Sequence, residues 1–447
     1  MRPALACTLL LTIASALRPP HRKRCINPSR TALQALPAQS VGLAAARIRF
    51  AAQWPLYATI PLCAGLFNAL TNKLAVTMMF FPIRRRGFKL LGWQGVVPKA
   101  ARRMGGDVSD LLTKDLLNVT EVLSRVDPET LSQRLCTTKL VDLGKRLVKD
   151  EVELAAPLVT PDLVKRVIQR CVARVQDDVD AFVDVRHLCV ERLTKDPSRL
   201  VRLFKTCGKR ELDLVVSVGG WGGLALGLAQ MGAWAAFPFS WTLAAGGALV
   251  GLVTDWVALQ LLFRPVEPRR VLGTTWHGFF LRRQAEVSRD FAAFVASELV
   301  APRHLWRALL EGPRSSTFVE ALADAFAEEL PGGLGNVGGP LRGALEAAAA
   351  RGITEVAADP AAYTDPSADY VAGALDVAGS VGAALEALPG ARFERVLHPV
   401  FEEDELTLVI VGAVLGGAVG WAQAWWDARS KRLDAESRGT PPPGLAP

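Results

Sequence analysis

Residues 214–253 run for forty positions without one charged side chain. A helix needs about 20 apolar residues to cross a bilayer, so this stretch is long enough for two. Inside lipid every backbone N–H and C=O needs an internal partner, which confines such a run to helices or a closed barrel. Phe237-Pro238-Phe239, near its midpoint, predicts two helices joined by a tight turn. Two shorter runs share the character. Residues 50–83 carry Lys73 as their one charge, and residues 406–426 carry none. The first fits one long helix or a hairpin broken at Pro61. The last fits one helix or, given its glycines, a re-entrant pair. Gly247 and Gly251 are four apart, as are Gly412, Gly416 and Gly420, a spacing that lets helix backbones approach closely in lipid. Half of the 447 residues are hydrophobic and 21% are charged, below the roughly 25% of soluble domains. A disordered chain, a collagen and a disulfide-dense miniprotein are excluded.

The acid ledger begins late: no Asp or Glu precedes Asp107. Residues 1–16 have a basic Arg2, a short apolar stretch and Ala14-Ser15-Ala16, the pattern of a signal peptide. Residues 17–50 follow as an acid-free, Arg-rich transit peptide or linker. Together they resemble the two-part plastid leader of algae with complex plastids, with Leu17 where such leaders usually carry Phe. The expected location is a plastid (chloroplast) membrane, with a mitochondrial or secretory membrane as the alternative. The seven Cys form no Cys-x-x-Cys or zinc spacing, so a disulfide framework is not expected. Asn118-Val119-Thr120 is a formal glycosylation sequon.

Two polar modules separate the apolar runs. Both show apolar residues three and four apart, as at 113–135 and 161–204, and Asp127-Pro128-Glu129 reads as a helix start. Residues 82–212 hold 26 basic and 18 acidic side chains, and residues 264–405 hold 13 and 21. One module is therefore +8 and the other −8, and opposite charges could face each other. The expected order is a first membrane segment at 51–83, a module at 84–212, paired membrane helices at 213–263, a second module at 264–405, a membrane segment at 406–426 and a disordered tail at 427–447.

The chain also repeats itself at an offset of 183 without a gap. Thr71-Asn72-Lys73-Leu74-Ala75 aligns with Thr254-Asp255-Trp256-Val257-Ala258, and Phe80-Phe81-Pro82 with Phe263-Arg264-Pro265. Trp93-Gln94-Gly95 aligns with Trp276-His277-Gly278. Each basic loop follows the same apolar element, which predicts that both modules lie on one side of the membrane. These motifs, with Gly92 to Lys99 and the closing His398-Pro399-Val400-Phe401-Glu402-Glu403-Asp404-Glu405, resemble the YheB-like membrane family, domain of unknown function 445. The likeness covers roughly residues 55–426. Asp255 stands where the family more often has Asn, and Leu281 where the first copy has Pro98. The resemblance implies an integral membrane protein with helical extramembrane parts and brings no activity, cofactor or catalytic residue.

Thr71, Asn72, Thr254 and Asp255 are the membrane-embedded polar candidates. Ionisable residues inside membrane segments are costly and often functional. They could meet at a repeat interface and hold a polar solute or ion, as in repeat-built transporters, or simply hydrogen-bond or cap helices. Arg84, Arg85, Arg86, Arg264, Arg269 and Arg270 form basic loops suited to lipid headgroups, each adding about 1 kcal/mol near an anionic surface. Trp93, Trp276, Trp421, Trp425 and Trp426 read as interfacial anchors. His187, His277, His304 and His398 are scattered, and Glu402 to Glu405 read as a solvated face rather than a cation site. No phosphate loop, nucleophile elbow or paired-carboxylate motif occurs. The sequence thus predicts an all-α integral membrane protein with an internal duplication, no enzyme, no cofactor and no metal. Its expected partners are membrane lipids and a second copy or another membrane protein, not nucleic acid. The expected role is structural scaffolding; a small-solute or ion transporter is the alternative.

Overall fold

A computed structural model describes residues 43–436, apart from residues 88–91, 152, 238, 272, 331–338 and 398–404. The signal peptide, most of the transit segment, His398, Glu402 to Asp404 and the end of the tail lie outside the described residues. The described chain is almost wholly helical, as expected for an all-α protein. Among the described residues, the strands are one antiparallel pair three residues long.

The first helix, α1 (Leu43–Phe80), is continuous. Pro61 therefore does not split residues 50–83 into a hairpin, and the helix takes in residues 43–50 as well. The first module contains α2 (Ala101–Asp110), α3 (Pro161–Asp177) and α4 (Val185–Lys195). Then come α5 (Lys209–Ala236) and α6 (Ser240–Phe263), parted at the predicted turn. The second module opens with β1 (Arg269–Val271) and β2 (Thr274–Trp276). It continues through α7 (Gln284–Phe294), α8 (Pro302–Glu311), α9 (Ser315–Glu329), α10 (Gly339–Ala358) and α11 (Val377–Ala387). The last helix, α12 (Glu405–Glu436), is single and unbroken, so the re-entrant alternative falls. It also runs ten residues past position 426, so 427–436 are helix and not tail.

Among the described residues, three helices are long and apolar enough to cross a membrane: Lys209–Ala236, Trp241–Leu261 and Val409–Arg429. Helix α1 falls outside this set, because Asn68, Asn72 and Lys73 dilute its apolar run.

Contact density divides the chain into two compact units. The first comprises the described part of Met1–Phe67 with Gly222–Val250 and Gly416–Pro447. Within it, the Tyr57 and Trp234 rings lie 4.8 Å apart. The Gln230 amide donates to the Leu243 carbonyl at 3.1 Å. Gly247 packs directly on the Gly416 carbonyl, where any Cβ would overlap it. The close approach predicted from glycine spacing is thus present.

The second unit, Asn68–Trp221 with Gly251–Leu415, holds both modules. Side-chain caps start its helices. Asp127 accepts from the Glu129 and Thr130 amides, Thr160 from Leu163 and Asp184 from His187. Each cap satisfies an orphan amide and is worth about 1 kcal/mol. The stretch 113–135 is broken into short helices rather than continuous, because a wide π turn at Leu111–Leu116 and the Asn118 and Asp127 caps interrupt it. Helix α2 packs on α4, α7 on α11, and α3 on α9. One apolar core joins the modules, with Met104, Val108 and Leu193 of the first buried in the same cluster as Phe291, Val295 and Leu385 of the second.

Local geometry recurs at the offset of 183. Arg86 pairs with Trp93 as Arg269 pairs with Trp276. The Gly95 amide donates to the Pro82 carbonyl at 2.9 Å, and Gly278 to Pro265 at 2.9 Å. The Gln94 side chain bonds the Ile83 carbonyl at 2.9 Å, and the His277 ring bonds that of Val266 at 3.1 Å. Helices α2 and α7 each end in a π turn, closed by Leu117 to Leu112 at 2.8 Å and Val300 to Val295 at 2.9 Å. The peptide bonds before Pro82 and Pro265 are both cis.

Candidate functional site

The four polar candidates lie in the second unit, and two of them meet. The Asn72 amide donates to the Val215 carbonyl at 3.0 Å and hydrogen-bonds the Asp255 side chain. Asn72 is 3% exposed and Thr254 2%, while Asp255 is half-buried. Neither Asn72 nor Asp255 is a cap, since both sit inside helices. The threonine hydroxyls turn back on their own helices. Thr71 donates to the Asn68 carbonyl at 3.0 Å and Thr254 to that of Gly251 at 2.9 Å, the same bond at the same offset. Glycines open the space: a Cβ at Gly219 would overlap the Asn72 amide, and one at Gly412 the Asp255 carboxylate. Asn72 and Asp255, 183 positions apart, thus bond to each other across α1 and α6.

The basic loop residues Arg84, Arg85, Arg86, Arg264, Arg269 and Arg270 are all exposed. The two loops project from the Arg86–Trp93 bridge and from β1. Trp93, Trp421, Trp425 and Trp426 are exposed as well. Among the described residues, every exposed large apolar side chain falls on α1, α5, α6 or α12, or on a turn joined to one of them.

The charge ledger has a structural counterpart. Arg166 meets Glu329 at 2.8 Å, Arg170 meets Glu328 at 3.0 Å and Glu329 at 2.5 Å, and Arg174 meets Glu328 at 2.7 Å. These pairs run along the α3–α9 seam. Arg199 and Arg202 hold Glu298, Arg146 holds Glu355, and in the reverse sense Arg351 holds Glu151. Surface pairs are worth about 0.2–1 kcal/mol each, so they align the modules while the shared apolar core supplies most of the stability. Arg283 with Glu211 differs: the side chains are 15% and 4% exposed, and the contact is 2.6 Å. Breaking a buried pair of this kind leaves a bare charge, at a cost of about 3–5 kcal/mol.

The buried thiols are inert. Burial pushes Cys171, Cys189 and Cys207 up to about 12, far from the thiolate form that reactivity needs. Two of the four scattered histidines share a polar cleft of about 100 Å³, lined by His187 and His304 with Glu191, Arg192 and Arg307. Burial, then the surrounding Arg192, Arg303, Arg199 and Arg307, depress His304 to about 3, so it stays neutral. No cluster of three or more His, Cys, Asp or Glu able to hold a metal occurs among the described residues.

Sequence reasoning missed one feature of the modules. A cavity of about 220 Å³ lies between them, walled by Val122, Leu131, Val172 and Val175 from one and Leu305, Leu309 and Leu375 from the other. A second of about 220 Å³ adjoins it, reaching Leu147, Val164, Phe326 and Ile353. Leu135, Ile168, Trp306, Phe318 and Leu322 line both.

No protein-family model, curated protein or solved structure matches this chain.

Proposed function

We propose that the protein is an integral membrane scaffold made of two diverged copies of one unit, each an apolar helix, a helical module and a second apolar helix. The observation that carries this reading is the confinement of exposed large apolar side chains to α1, α5, α6 and α12 and their turns. Contiguous exposed apolar surface on long helices needs lipid or partner helices to cover it. The duplication is supported by matched hydrogen bonds at one offset, from Thr71 and Thr254 through the π turns. A parallel contact, though ten residues off that offset, packs Gly219 on Asn72 and Gly412 on Asp255. The module pair, locked by a shared core and reciprocal ion pairs, is a rigid body presented at the membrane surface. The exposed arginines of the two loops contact anionic headgroups, and lipids are the first partner. The leader pattern favours a plastid membrane, and the motif likeness favours a diverged member of the YheB-like family.

A transporter is the second reading, favoured by the Asn72–Asp255 bond between apolar helices. Solute flux into proteoliposomes separates the two. The scaffold reading expects ion and small-solute flux no greater than in empty liposomes. Flux above that level, lost in Asp255→Asn, would establish transport instead.

A further inference from the structure

The twin cavities between the modules remain unaccounted for by a scaffold. Natural interiors are packed as tightly as organic crystals, with few voids larger than a water molecule. Here two adjoining spaces of about 220 Å³ each stand open in one helical body. A space of about 150 Å³ with such walls already takes a benzene-sized molecule. The two together reach the ~300–1,000 Å³ of ordinary ligand sites.

The wall chemistry selects the occupant. The lining is aliphatic and aromatic almost throughout. Its polar groups are few: the Gln176 amide is committed to the Leu123 and Val126 carbonyls at 2.9 and 2.7 Å, the Thr113 and Thr364 hydroxyls bond their own helices at 2.9 Å, and the Trp306 indole N–H is a single buried donor without a partner among the described residues. Ordered water needs two to four polar partners, and the walls do not offer them. Nothing there could orient a nucleotide, a sugar or an ion. The shape narrows the choice further. Two lobes share the wall of Leu135, Ile168, Trp306, Phe318 and Leu322, so the space is extended rather than round. A rigid ring system fills one lobe; a flexible hydrocarbon chain can follow both. Outside the lining, Arg166, Arg170 and Arg174 pair with Glu328 and Glu329 along the α3–α9 seam, over a buried strip of Leu163, Val167, Ala323 and Ala325.

We propose that the paired modules bind one lipid acyl chain in the two-lobed cavity, with the polar end left outside. The chain belongs either to a membrane phospholipid or to a free fatty acid. The inference takes from the proposed function only the nearness of a lipid phase.

The test uses the full chain in lipid nanodiscs, doped either with palmitic acid carrying a mid-chain diazirine or with a phospholipid carrying the same chain. After irradiation, labelled peptides are mapped by mass spectrometry. Label is expected on residues 168–175 and 305–322, as well as on the apolar helices. Label there from the phospholipid assigns a membrane lipid, and label from the free acid alone assigns a fatty acid. Leu322→Trp, which fills the shared wall, is expected to reduce that label several-fold while label on residues 209–263 is unchanged. Val175→Phe, which fills one lobe from the other helix, is expected to do the same. Label confined to the apolar helices, or label at 168–175 and 305–322 unchanged in both variants, overturns the proposal. Label on residues 209–263 separately reports membrane insertion, so a failed cavity and a failed membrane reading give different results.

Discussion

At the residue scale, the bond between Asn72 and Asp255 is the most informative contact. Interhelical hydrogen bonds among apolar helices average about 0.6 kcal/mol and reach about 1.7. Asn72→Ala is therefore expected to cost about 1 kcal/mol, seen as a lower thermal midpoint in detergent. Asp255→Asn keeps a partner for Asn72 and should cost less. The double variant Asn72→Ala with Asp255→Ala should cost less than the sum of the singles, because the two changes remove one shared bond. Additive costs would mean that the two side chains act separately. His304 gives a second expectation. Its pKa in the folded protein is about 3, against about 6.5 in an unfolded chain. The unfolded state binds the proton more readily, so this residue's stability is intact above about pH 6.5 and is lost as the pH falls toward 3. His304→Gln, which retains an acceptor for Arg303, should lose less of its thermal midpoint between pH 7 and pH 4 than the parent protein. These two residues differ in legibility. Asn72 and Asp255 stood out because polar residues interrupted apolar runs at matched positions. His304 did not, because its Arg neighbours come from α4, α8 and the helix after α4, and no local spacing brings them together.

At the element scale, glycine and proline carried most of the readable information. The turn between α5 and α6 falls at Phe237–Phe239 as the sequence predicts, and the Asp127 cap starts its helix. Pro61 misleads. It is buried inside α1 against Gly227, and the helix runs through it. The spacing of Gly247 and Gly416 also had a readable meaning, and it yields an expectation. Gly247→Leu drives a side chain into the Gly416 carbonyl and should prevent α6 and α12 from packing, with a large fall in the thermal midpoint. Gly232→Ala adds a methyl where nothing lies within 4 Å and should be neutral or slightly stabilising, since Ala favours helix by about 1 kcal/mol over Gly. Equal effects of the two would argue against close packing at Gly247. The π turns after α2 and α7 and the cavity they border had no sequence signal. Apolar periodicity tells which face of a helix turns inward, not whether the faces that meet there fill the space between them.

At the scale of the whole molecule, charge and repeat together make one account. A basic first module and an acidic second one share a core and exchange ion pairs in both directions. High salt should therefore loosen the α3–α9 seam, seen as faster amide exchange at residues 166–174, while leaving the thermal midpoint set chiefly by the core. The central claim is that the chain is a duplicated membrane protein whose two modules lie together on one face. It is tested most directly by protease protection of the protein in sealed, uniformly oriented vesicles, read by mass spectrometry for each module. The account expects residues 101–205 and 284–395 to be cut together when exposed and spared together when enclosed. Cutting of one module while the other stays protected would contradict it.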